Sequence, residues 1–106
     1  MKLREIAHAR AGDKGNDLNV SLIAYDDHDY PLLERHVTPD RVREHFAGVV
    51  RGTVVRYTLP HLGALNFVLH DALGGGVTRS LALDAHGKTL SSLLLDMEIE
   101  DGEADG

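Results

Sequence analysis

The spacing of apolar residues along the chain predicts mostly β-structure. Apolar and polar side chains alternate with a period of two in four segments, which is typical of strands with one buried face. A fifth segment, at the N-terminus, has mixed polarity and is expected as an edge strand that pairs with the next strand. The predicted strands cover residues 2–10, 18–25, 53–59, 65–70 and 93–99, and the last of them shows the clearest alternation. A turn at residues 60–63 joins the third and fourth strands into a hairpin.

One helix is strongly indicated near the middle of the chain. The Thr38 hydroxyl can cap free backbone N–H groups, and Pro39 fits the first helical position, which needs no donor. Val42 and Phe46 then form a short apolar stripe that a helix would bury. Gly48 is placed to end this helix in a left-handed conformation.

Residues 76–86 fit two different patterns. Val77, Leu81 and Ala85 share one helical face and Gly87 fits a C-terminal cap, whereas Leu81 and Leu83 also fit a strand that turns before Gly87. We prefer the helix and leave the strand as the alternative.

The order of these elements predicts the fold class. It is strand, strand, helix, strand, strand, helix, strand, and its last six elements match the split βαβ, or ferredoxin-like, arrangement. We therefore expect an α+β fold in which an antiparallel sheet carries two helices on one face and an extra N-terminal strand. Residues 1–99 form a single domain in this prediction, and residues 100–106 form an acidic, disordered tail.

Composition narrows the class of protein. The chain has 106 residues, of which 42% are hydrophobic and 26% charged, as in ordinary globular domains. Acidic residues outnumber basic ones 17 to 11, and no Lys/Arg stripe is interleaved with aromatics, which argues against a nucleic-acid partner. The absence of cysteine, a charged N-terminus and the lack of a long apolar run favour a cytoplasmic protein without a membrane span.

The densest polar signal runs from Arg10 to Asp17. Its glycines, Gly12 and Gly15, can take positive φ and present backbone N–H groups to an anion, while Arg10 and Lys14 supply positive charge. These are the components of a carboxylate or phosphate cradle, although the spacing of a P-loop is absent. A plain hairpin loop explains the same residues, since Gly, Asp and Asn dominate ordinary turns. Both interpretations stay open.

Two other segments carry weaker signals. The three glycines at residues 74–76 could admit an anionic ligand to a helix N-terminus, or could simply form a joint. Asp84, His86 and Lys88 offer the residue types used in acid-base catalysis, but a capped helix end explains them as well. The seven histidines show no metal-ligand spacing, and no serine lies in a nucleophile elbow. We expect no metal, no cofactor and no Ser-His-Asp triad.

Taken in order along the chain, these motifs resemble a known family. The motifs are Arg10-x-Gly12-Asp13-Lys14-Gly15, Leu59-Pro60, Leu65-Asn66-Phe67, Gly74-Gly75-Gly76 and Asp84-x-x-Gly87-Lys88. They are similar to those of the small AtuA-like domain, which in larger members follows the big N-terminal domain of the acyclic terpene utilisation family. The resemblance covers nearly the whole chain and implies a ferredoxin-like fold. It also implies a bacterial pathway in which acyclic isoprenoids or other branched acids are degraded as coenzyme A thioesters, without implying an established reaction.

Three functions follow as hypotheses. The first is an accessory module that works alone or with a separately encoded AtuA-like large domain. Its residues 12–15 would bind a partner or an anionic ligand, such as an acyl-CoA or another carboxylate. The residues expected to contact the ligand are Arg10, Gly12, Asp13, Lys14, Gly15, Asn66, Asp84, His86 and Lys88. The second is a small lyase, hydratase or hydrolase acting on an acyl thioester, with the proton transferred by Asp13 or Asp84 and charge stabilised by Lys14 or Lys88. The third is a structural homo-oligomer, most simply a dimer, because an uncovered sheet face and exposed edges invite pairing.

The element order also predicts where these residues meet. The strands at 18–25 and 65–70 are expected to run parallel, so that the segments leading into both lie at one end of the sheet. The residues that should then gather at that end are Arg10, Asp13, Lys14, Asn66, Asp84 and Lys88. The glycines at 74–76 should lie at the other end.

Overall fold

A computed structural model describes residues 1–14, 17–46, 50, 52–71 and 88–100, with the backbone alone at residues 13, 14 and 88–90. Four strands form one antiparallel sheet in the order β1-β2-β4-β3. They are β1 (Ala7–Lys14), β2 (Asp17–Ala24), β3 (Val54–Leu59) and β4 (Ala64–Leu69). The described helices are α1 (Tyr30–His36), α2 (Pro39–His45) and α3 (Lys88–Leu95), with short 3-10 turns at Leu3–Glu5, Asp27–Asp29 and Pro60–Leu62. The predicted α+β class with an antiparallel sheet is confirmed.

The central part of the sheet is a split βαβ unit. β2 and β3 run in the same direction, and β4 lies between them, antiparallel to both. The expected parallel orientation of the strands at 18–25 and 65–70 is therefore wrong, because the parallel pair of this unit is β2 with β3. The start of β2 lies beside the end of β4, as the pair Leu18 and Leu69 shows, and the Pro60–Leu62 turn lies at the opposite end of the sheet.

One face of the sheet is buried beneath the helices. Alternate residues of β2 and β4 point into this core and are fully buried, as period-two patterning requires: Leu18, Val20, Leu22, Leu65, Phe67 and Leu69. The helical layer contributes Leu33, Val37, Val42, Phe46 and Leu94 to the same cluster. The small side chains of Ala7, Ala9 and Ala11 face the core on β1 and leave room for α3, which packs against that strand.

Helix α2 forms as its sequence predicts. The Thr38 hydroxyl accepts a hydrogen bond from the Arg41 backbone N–H at 3.2 Å, so the cap is present. Val42 and Phe46 are buried. Gly48, the predicted end of this helix, lies outside the described residues, as do residues 72–87, which include the ambiguous segment at 76–86.

Helix α1 has no counterpart among the predicted elements. It starts at Tyr30, and Pro31 in its first turn needs no hydrogen-bond donor. Its C-terminal carbonyls are held from β3, where Arg56 Nη1 donates to the carbonyl oxygens of Glu34 at 2.8 Å and Val37 at 3.0 Å. A cation at this end of the helix also complements the helix dipole. Arg56 therefore joins the helical layer to an edge of the sheet.

The predicted strand at residues 93–99 is wrong, because α3 extends to Leu95. Ser91 and Leu94 are both buried, and a spacing of three residues is that of one helical face. The three consecutive leucines at 93–95 satisfy a period of two as well, which made the segment look like a strand. Within residues 93–99, Glu98 alone takes part in β-pairing, through an isolated antiparallel bridge to Lys2.

The first predicted strand is displaced rather than absent. Leu3–Glu5 forms a 3-10 turn, and β1 begins only at Ala7. The residues before this turn pair with the segment after α3, since the Leu3 N–H donates to the Met97 carbonyl at 3.0 Å and the Ile99 N–H donates to the Met1 carbonyl at 2.8 Å. These bonds replace the C-terminal strand that the alternation predicted.

Candidate functional site

The sheet face opposite the helical layer, termed the open face, is the candidate site. None of the described helices packs on it, since their buried residues belong to the core on the other side. Directly opposite residues of neighbouring strands share a face, so the register aligns side chains in rows across all four strands. The polar row consists of Arg10, Ser21, Asn66 and Tyr57, and the apolar row beside it consists of His8, Ile23, Ala64 and Leu59. A third row, Gly12, Asn19, Val68 and Val55, lies on the other side of the polar row.

A hydrogen-bond network fixes the middle of the polar row. Asn66 Nδ2 donates to Asn19 Oδ1 and to Ser21 Oγ, both at 2.8 Å, and Asn19 Nδ2 donates back to Asn66 Oδ1 at 3.3 Å. Both amide hydrogens of Asn66 are engaged in this way. Ser21 only accepts within the network, so its own hydroxyl hydrogen remains available, as does one amide hydrogen of Asn19.

Arg10 and Tyr57 flank this network. Arg10 is exposed and makes no ion pair or hydrogen bond with any residue in the described ranges. Neighbouring strands are ~4.8 Å apart, so the long Arg10 side chain can reach across the position of Ser21. Tyr57, on the far strand, is 54% exposed and adds a hydroxyl group. The row thus presents hydrogen-bond donors and one positive charge, which is the chemistry that binds an anionic oxygen.

The apolar row is bordered by exposed rings and aliphatic groups. The His8 and Tyr25 rings stack with centroids 5.3 Å apart, and Tyr25 is 66% exposed. Leu59 is 39% exposed at the β3 end of the row. Residues two apart on a strand are ~7 Å apart along it, so the polar and apolar rows are adjacent parts of one surface.

A carboxylate–histidine pair lies at the end of the sheet where β2 starts. His70 Nδ1 donates to Asp17 Oδ2 at 3.2 Å, and the Asp71 backbone N–H donates to Asp17 Oδ1 at 3.0 Å. The Asp71 N–H contributes most to lowering the pKa of the Asp17 carboxyl below its ordinary value of 3.8, and the His70 imidazole acts in the same direction. Asp71 itself has a φ of 56°, in the left-handed region, which Asp tolerates better than most residues.

This pair was missed by reasoning from the sequence. In the sequence Asp17 stands out only as the last residue of the polar segment that begins at Arg10, and no local pattern links it to His70, which is 53 residues away. The register of β2 and β4 brings the two residues together. A depression of about 360 Å³, lined by Asp17, Leu18, Asn19 and Val68, lies between the pair and the polar row.

The predicted site residues are arranged differently from the expectation. Gly12, Asp13 and Lys14 belong to β1, because this strand pairs with β2 as far as Lys14 and Asp17, so they do not form a loop. A positive φ at Gly12 is also wrong, because Gly63 is the one glycine in the described ranges with that conformation. Arg10 and Asn66 do share a row, but it crosses the middle of the sheet rather than its end.

The rest of the predicted site lies outside the described part of the chain. Gly15, Asp84 and His86 are not among the described residues, and the side chains of Asp13, Lys14 and Lys88 are not described either. Their convergence stays a prediction. No group of three or more His, Asp or Glu within the described ranges is arranged to hold a metal ion. The helices of those ranges are also too short or too polar to cross a membrane.

Comparison with protein families gives a match over most of the chain. Residues 1–100 match the family model of the AtuA ferredoxin-like domain. No curated protein and no solved structure matches the chain.

Proposed function

The chain belongs to the AtuA ferredoxin-like domain family, and we propose that it is a noncatalytic binding module in a bacterial pathway that degrades acyclic terpenoid or branched acyl-CoA compounds. In this proposal the open face is the binding surface, and the partner is a separately encoded AtuA-like large domain. The observation that carries the proposal is the composition of the open face.

The three rows of the open face contain no Asp, Glu or Lys, although 17 residues of the chain are acidic. Interfaces between proteins are depleted in these residue types and enriched in Tyr and Arg. The rows include Tyr57 and Arg10, and Tyr57 is more than half exposed although its ring is apolar. Three adjacent rows without a carboxylate or a lysine, in an acidic chain, are expected where another molecule binds.

The proposal is tested by measuring binding to the large domain by isothermal titration calorimetry. We expect Tyr57→Ala to weaken binding about tenfold or more, because tyrosines that become buried in an interface often contribute much of the affinity. Arg43→Gln is the matched control, because Arg43 is exposed on α2 in the helical layer. It should leave the affinity within about twofold, as expected for surface changes away from an interface.

Two outcomes contradict the proposal. The first is the absence of any complex with the large domain. The second is a complex that Tyr57→Ala and Arg43→Gln weaken equally. A third outcome would identify another occupant of the face: a solution mass of twice 11.6 kDa without the large domain, lost in Tyr57→Ala, would show that a second copy of the chain binds there.

A further inference from the structure

We infer that the open face binds an amphiphilic carboxylate, with its carboxylate group on the polar row and its hydrocarbon chain on the apolar row. This inference rests on the proposed function, since it names the ligand class for the same surface. A ligand of this class would lie between the module and its partner. Small-molecule sites are often found at such interfaces between domains.

The polar row has the groups that a carboxylate requires. Arg10 is a cation without a partner in the described part of the chain, and its guanidinium can bind two carboxylate oxygens at once. Ser21 lies directly opposite Arg10; its oxygen accepts from Asn66, and its hydroxyl hydrogen has no acceptor among the described residues. The hydrogen bonds from Asn66 hold Ser21 and Asn19 in place before a ligand arrives, which lowers the entropic cost of binding.

The electrostatic surroundings favour a negative group at this position. The nearest acidic side chain described on the open face is Asp17, four residues before Ser21 on β2, or ~13 Å along the strand. Its carboxylate is also engaged by His70 and by the Asp71 N–H. A carboxylate bound at Arg10 would therefore meet little repulsion, even though the whole chain has a net charge of -6.

The apolar row explains why the ligand would have a hydrocarbon chain. Ile23 and Leu59 lie one row from the carboxylate position, on the side away from Asn19 and Gly12. The stacked Tyr25 ring extends this apolar surface at the β2 end. A hydrocarbon chain that extends from the carboxylate toward these groups would cover exposed apolar area, and removal of apolar area from water favours binding.

The test uses nuclear magnetic resonance titration of the ¹⁵N-labelled protein with octanoate, octanamide and acetate. Octanoate should shift backbone amides on the polar and apolar rows. Octanamide has the same chain without the charge, and we expect it to bind roughly tenfold more weakly, as is typical for loss of a charge-assisted hydrogen bond. Acetate, which has the charge without the chain, should also bind more weakly than octanoate.

Two variants assign the carboxylate to Arg10. Arg10→Gln should weaken octanoate binding roughly tenfold and leave octanamide binding unchanged, because only the charged contact is lost. Arg43→Gln, the same change in the helical layer, should alter neither. The inference is overturned if octanamide binds as tightly as octanoate, if Arg10→Gln and Arg43→Gln behave alike, or if the shifted amides lie on the helical layer.

The two proposals can fail separately. If the large domain binds the open face but octanoate does not, the ligand class is wrong and the proposed function stands. If octanoate binds at Arg10 while the large domain binds nowhere, the ligand inference stands and the partner is wrong.

Discussion

A single methyl group added at Gly52 should separate the ends of β3 and β4. Gly52 lies just before β3, and its N–H donates to the His70 carbonyl oxygen at 3.0 Å. A Cβ atom at this position would lie 2.6 Å from that oxygen and 3.1 Å from the His70 Cβ. The nearest obstacle is backbone, so the strand ends must move apart and a side-chain rotation cannot relieve the contact.

The size of the effect follows from three contributions. Forcing an extra methyl group into a filled space costs ~1–3 kcal/mol. Loss of the hydrogen bond between Gly52 and His70 adds about 1 kcal/mol. The smaller conformational entropy of alanine in the unfolded chain offsets ~0.4–1 kcal/mol. We therefore expect Gly52→Ala to lower the free energy of unfolding by about 2 kcal/mol, which corresponds to a fall in Tm of roughly 10 °C for a domain of this size.

Thermal unfolding followed by circular dichroism measures this change, and Gly12→Ala is its control. No atom lies within 4 Å of a Cβ built at Gly12, which is exposed on β1. That variant should stay within about 0.5 kcal/mol of the unmodified protein, as surface changes usually do. Equal Tm values for the two variants would refute the close approach of Gly52 to His70.

Three further predictions concern single residues. Arg56→Ala removes the donor to two carbonyls at the end of α1, and it should lower the free energy of unfolding by about 1–3 kcal/mol in urea titrations; an unchanged midpoint would contradict the role of Arg56 as a cap. Gly63 has a φ of 61°, so Gly63→Ala should cost about 1–2 kcal/mol by the same measurement, and full stability would show that the turn can change conformation. Because the folded state lowers the pKa of Asp17, its carboxylate stabilises the fold above the ordinary value of 3.8 and loses this contribution as the pH falls through the lowered pKa. Urea midpoints measured between pH ~6 and pH ~3 should therefore fall less for Asp17→Asn than for the unmodified protein, and identical pH profiles would exclude this contribution.

The elements with one clearly buried face could be predicted from the sequence. In β2 the positions Leu18, Val20 and Leu22 are all buried, so the alternation seen in the chain is the alternation seen in the fold. Helix α2 could be predicted because its cap, Thr38, and its buried stripe are both local features. Two polar residues of the candidate site could also be singled out. Arg10 lies in the polar segment that ends at Asp17, and Asn66 lies in a motif of the family resemblance.

The remaining features depend on contacts between distant segments. The leucines at 93–95 satisfy both a helical and a strand period, and only packing against β1 selects the helix. The direction of β4 relative to β2 follows from the geometry of the split βαβ unit, which the alternation does not reveal. The pairing of Asp17 with His70 depends on that direction, so it could not be found before the register was known.

The amide network of the open face has a consequence for how the chain avoids misfolding. Apolar alternation resists a shift of β2 against β4 by one residue, because every core side chain would then face solvent. A shift by two residues keeps apolar side chains on the core face, so alternation alone permits it. Such a shift would separate Asn66 from Asn19 and Ser21, whose hydrogen bonds span the two strands at one place only. Hydrophobic burial leaves several alignments of β2 against β4 nearly equivalent, and the network selects the correct one. Replacing the network with apolar side chains would give a sheet with competing alignments.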